Sequence, residues 1–118
     1  MSTAPLFALL MYLGCLVWNG PVAQTWYTCH PLEGTEKCIM ADGNRPIVGS
    51  AASYVGAFRL GQTAYLLGVG LIRFQDHGVG WNLPDSEPPW VDLWTPNSRA
   101  WAFEQGVIVR DLFLVRPW

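Results

Sequence analysis

The sequence predicts a small membrane-anchored α+β protein, with an N-terminal transmembrane helix, a second apolar helix, and a Trp/Pro-rich extramembrane region that carries a C-terminal β-strand. Three observations lead there. Leu6 to Val17 reads LFALLMYLGCLV without a charge, and the first charged residue of the chain is Glu33. From Pro46 to Phe74, only Arg59 and Gln62 are strongly polar before Arg73. Beyond Asp76 the turn formers Gly78, Gly80, Pro84, Pro88, Pro89 and Pro96 crowd together, which a long helix cannot tolerate.

Composition agrees with a chain that carries little ordinary wet surface. Hydrophobic residues make up 51% of the 118 positions and charged residues 14%, where an ordinary soluble domain has about 25% charged. Lys37 is the only lysine among 7 basic residues. The 7 Trp belong to a residue type enriched at protein interfaces and at the headgroup level of membranes. A formal charge of -2 and a pI near 5.5 leave too little positive charge to neutralise a run of phosphates, so nucleic acid is not an expected partner.

Residues 1–23 read as a membrane anchor or signal segment. Leu6 to Ala23 is 18 residues, about 27 Å as a helix and close to the hydrocarbon thickness of a bilayer. Pro21-Val22-Ala23 before Gln24 also offers an imperfect signal-peptide cleavage site, although Met1 to Pro5 contains no Lys or Arg. With Lys37 and Arg45 following the segment and no basic residue before it, the positive-inside rule puts the N-terminus on the outer or lumenal side. Cys15 reads as a small apolar residue of that segment.

Residues 24–45 read as a disulfide-closed loop. Cys29 and Cys38 bracket HPLEGTEK, with Gly34 at the centre where a reversal favours a residue that tolerates positive φ. Such a bridge requires an oxidising compartment. Cys29, His30, Cys38 and His77 could instead hold a metal, but no C-x-x-C or H-x-x-x-H spacing organises them, and no metal is expected.

Residues 46–74 form the second apolar segment. Gly49, Ser53, Ala57 and Gly61 recur every four residues, the small-residue face that lets two membrane helices approach closely. Arg59 counts against a spanning helix, because a charge at mid-membrane costs at least about 2.5 kcal/mol. The competing reading is two strands, Ala51 to Phe58 and Ala64 to Phe74, joined at Leu60-Gly61-Gln62.

Residues 75–118 form the extramembrane region. Trp81, Trp90, Trp94 and Trp118 are the expected partner interface, since rigid aromatic side chains expose large area at low entropy cost. Asn97 or Ser98 caps a short helix that runs to Phe103 or Gln105, with Gly106 as its stop. Val107 to Val115 reads as the best strand of the chain.

No reaction chemistry stands out. Asp76-His77 is the only acid beside a histidine and reads as a surface turn, while Ser50, Ser53, Ser86 and Ser98 lack the G-x-S-x-G elbow. Gly68-Val69-Gly70 is not followed by the last glycine of a dinucleotide fingerprint, so no cofactor is expected. The expected function is a non-enzymatic accessory or structural subunit of a larger membrane protein complex. Its partners would be that complex and the lipid bilayer, with the Cys29/Cys38 loop on the oxidising side. The alternative is a secreted, disulfide-containing, β-rich binding module.

Overall fold

In the computed structural model, residues 4–29, 38–53, 57–77 and 88–116 are described. The N-terminal apolar run breaks into two elements. Helix α1 spans Ala4–Tyr12, 9 residues, or about 14 Å where a bilayer core needs about 30 Å. Strand β1 follows at Leu16–Tyr27. Gly14 marks the break with φ 69°, a value a right-handed helix cannot hold, and Pro21, which has no N–H to donate, bars a helix further on, while Val17 and Val22 favour extended backbone. The transmembrane helix expected over Leu6 to Ala23 is therefore replaced by a short helix and a strand. No helix among the described residues is long and apolar enough to cross a membrane, so the membrane-anchor and signal-anchor expectations have no helix to rest on.

The second apolar helix is also corrected. Its residues form β2 (Ser50–Ser53), β3 (Thr63–Leu66) and the start of β4 (Gly70–His77). Gly49 has φ 99° and Gly61 φ 89°, values that a right-handed helix cannot hold. The helical face expected from Gly49, Ser53, Ala57 and Gly61 does not form: Gly49, Ala57 and Gly61 lie in turns and Ser53 ends β2. The two-strand alternative came nearer, and Arg59 is simply an exposed turn residue.

Two further strands, β5 (Trp90–Trp94) and β6 (Ile108–Val115), complete a closed six-stranded barrel in the order β1-β5-β2-β4-β3-β6. Strand β1 runs parallel to β5, from Ala23↔Trp90 to Tyr27↔Trp94, and antiparallel to β6, from Leu16↔Val115 to Gln24↔Ile108. The β1–β6 register slips between Trp18 and Gly20, leaving Asn19 as a bulge. Strands β2 and β4 are parallel, and the other pairs are antiparallel. Strand β1 runs straight through residue 23 and β4 through residue 74.

Val22, Ala51, Ala64, Leu66, Ile72, Phe74, Val91, Leu93 and Leu112 fill the barrel interior. A smaller apolar layer lies outside it, where Leu16, Tyr65 and Phe113 are covered by Phe7 and Leu10 of α1. The Phe7 ring sits 5.4 Å from that of Tyr65 and 5.2 Å from that of Phe113. β3 and β6 are thus buried on both faces along part of their length.

Between β5 and β6, helix α2 (Arg99–Gln105) starts at Ser98, whose hydroxyl accepts the Trp101 N–H, and stops at Gly106 with φ 64°. It lies at the end of the barrel where Trp101 meets Trp26 edge on, with ring centroids 5.4 Å apart. At the same end Arg110 Nε donates to Gln24 Oε1 at 2.8 Å, and the Gln24 side chain is fully buried.

The Cys29–Cys38 disulfide is present, with Cα atoms 5.2 Å apart, and Cys15 is free. An intramolecular bridge of this kind belongs to an oxidising environment. From Cys38 onward the chain is fixed to β4 by a polar relay. Ser50 Oγ donates to Gln75 Oε1 at 2.8 Å, and Gln75 Nε2 donates to Asp42 Oδ2 at 3.0 Å. Burial acts to raise the Asp42 pKa, but bonds from the Asn44 N–H and the Gln75 and Asn44 side chains, with the charge of Arg73, outweigh it and hold the carboxyl below its ordinary 3.8.

Candidate functional site

Strand register decides which residues meet at the end of the barrel opposite α2. Leu16↔Val115 and Ala64↔Leu114 set the start of β1 and of β3 against the end of β6, and Ser53↔His77 sets the end of β2 beside the end of β4. A cleft of about 460 Å³ opens there, lined by Asn19, Gln62, His77 and Leu114 together with the Ala57–Leu60 turn. Mouths of β-barrels are recurrent sites for small ligands.

Its floor is apolar. Phe58 stacks on Phe74 with ring centroids 4.2 Å apart and planes 5° from parallel, and Leu114 continues the interior layer. The turn carrying Phe58 and Arg59 is fixed by backbone bonds: Gln62 N–H to Arg59 O at 3.1 Å, Gly61 N–H to Phe74 O at 2.7 Å, and Phe74 N–H to Gln62 O at 2.9 Å. Around this floor stand four polar side chains. Asn19 comes from the β1 bulge, Arg59 is exposed in the turn, and Gln62 and His77 are half-buried.

His77 has no carboxylate partner in Asp76. Asp76 Oδ1 instead accepts the backbone N–H groups of Ala41 and His77, each at 2.9 Å, which turns that acid toward the loop before β2. The pair is therefore not an oriented acid–base dyad. Among the described residues no three His, Cys, Asp or Glu side chains gather as a metal-binding group, and Cys29 and Cys38 are committed to each other.

The aromatic residues expected at a partner interface are scattered. Trp90 and Trp94 open and close β5, both half-buried, and the Trp94 indole N–H donates to Cys29 Sγ at 3.3 Å. Trp81 and Trp118 lie outside the described residues. Asn19, Phe58 and Leu114 carry no signal of their own in the sequence, and they come from three separate stretches of chain. Arg59 and Gln62, the polar pair of an apolar run, and His77 beside Asp76 were the signals available in the sequence.

Comparisons with protein-family models, with curated proteins and with solved structures find no match to this chain.

Proposed function

We propose that the chain is a non-enzymatic binding module, secreted into an oxidising environment, that takes its ligand at the open mouth of the barrel. The asymmetry between the two ends of the barrel carries this reading. One end is filled by Gln24, Arg110, Trp26 and α2, whereas the other joins an aromatic floor to four converging polar side chains. A concave, mostly apolar site with a few placed polar groups is the form that small-ligand sites take. His77 without an oriented acid suits recognition better than proton transfer. The disulfide and the barrel favour such a module over a subunit buried in a membrane complex.

A fragment screen on ¹⁵N-labelled protein tests it. Bound fragments should shift the amide signals of Asn19, Phe58, Arg59, Gln62, His77 and Leu114, and Asn19→Trp, which adds bulk at an exposed mouth position, should weaken them. Shifts that gather elsewhere, or no shifted signals at all, would refute the mouth as the ligand site.

A further inference from the structure

We infer that the mouth selects small organic anions in which a carboxylate is carried on a flat apolar body. This deepens the reading of the mouth as a ligand site and rests on it. Of the eight described residues that line the cleft, none is acidic and only Arg59 carries a fixed charge. Arg59 makes no ion pair among the described residues and stands exposed at the rim. A guanidinium presents a planar fork of donors that matches a carboxylate with two parallel bonds, a fit that a neutral amide cannot reproduce.

Asn19 and Gln62 also line the cleft and bring no competing negative charge; Gln62 Nε2 donates one N–H to Thr63 O at 3.4 Å and keeps a second. Asp76, the acid beside His77, accepts the N–H groups of Ala41 and His77 at its Oδ1 and does not line the mouth. Phe58 supplies the other half of the recognition. Its ring is stacked on Phe74 and lines the cleft, so it offers fixed aromatic surface to a planar group. A small neutral ligand would leave the fork unused, and a compact inorganic anion would leave the aromatic floor uncovered.

Phenylacetate and phenylacetamide are matched probes, alike in shape and different in charge. Titration followed by amide shifts should show phenylacetate binding about tenfold tighter, the difference expected between a charge-assisted and a neutral hydrogen-bonded pair. Arg59→Gln should remove that preference while the amide binds as before, and Arg45→Gln, outside the mouth, should leave it intact. The preference should also shrink as salt is raised. If the acid binds no tighter than the amide, or fails to bind below about 10 mM while other fragments still occupy the mouth, anion selection is overturned and the site survives. If no fragment binds there, the mouth itself is lost as a ligand site.

Discussion

Replacing Ser50 by Ala removes one oxygen from the barrel wall and cuts two hydrogen bonds. The Ser50 hydroxyl is fully buried, donates to Gln75 Oε1 at 2.8 Å and accepts the Ile47 N–H at 2.9 Å. The two orphaned groups fare differently. Ile47 is 67% exposed, so its N–H recovers a water and the loss is about 0.5–1.5 kcal/mol. Gln75 is 8% exposed, so its carbonyl oxygen stays dry and costs about 1–3 kcal/mol. Ser50→Ala should therefore destabilise the protein by about 1.5–4.5 kcal/mol, lowering the melting midpoint by about 6–18 °C for a chain of this size. At the wet end of the same relay, the Asn44 N–H bonds Asp42 Oδ1 and Gln75 Nε2 bonds Oδ2, so Asp42→Asn keeps an acceptor for only one of them and, at an exposed residue where water can serve the other, should cost about 0.5–1.5 kcal/mol. Urea unfolding of the oxidised protein, followed by tryptophan fluorescence, measures both. The reasoning fails if Ser50→Ala unfolds within about 0.5 kcal/mol of the parent, or if Asp42→Asn is the more damaging change.

The bridge between Cys29 and Cys38 closes ten residues, a sequence separation of 9. Serine at both positions should cost about 2.7 kcal/mol on the loop-closure relation, and a loss below about 1 kcal/mol would count against it. Thiol counting under denaturing, non-reducing conditions should find only Cys15. Asp42 predicts an acid limb to stability. Its folded pKa lies below 3.8, so its contribution is complete above that value and is lost as pH falls through the lowered one. Asp42→Asn should flatten this limb in urea titrations between about pH 5 and pH 2.5, and an unchanged pH slope would rule the relay out as its source.

Local signals were the legible part of this fold. The Ser98 cap and Gly106 stop of α2 and the pairing of Cys29 with Cys38 each depend on a few neighbouring residues, and each is found in the structure, while the turn expected at Gly34 lies outside the described residues. Strand β6 was legible because its β-branched, apolar run fits nothing else. The helix assigned to the N-terminal run failed for a physical reason. A run apolar on every side looks alike as a membrane helix and as a strand lying between a barrel interior and a covering helix, which is the situation around Leu16. Glycines had the same effect from Gly49 to Gly70, blurring period 2 and period 3.6 together. The mouth could not be read at all as a site, because Asn19, Arg59, His77 and Leu114 are joined only by register between strands distant in sequence.

The place of β1 in the strand order bears on how the chain comes to fold. Its two neighbours are β5 and β6, so β1 waits for strands far along the chain, and Leu16 meets Val115 only once all six strands are available. Assembly dominated by such distant pairings is slow, since long loops must close before any contact rewards them. A growing chain would hold β1 with both edges unsatisfied, an invitation to pair with a neighbouring copy. Removing β6 would open the same gap permanently, since β1 and β3 each lose a partner. The barrel is thus an all-or-nothing object, and deleting β6 should yield aggregates rather than a smaller folded domain.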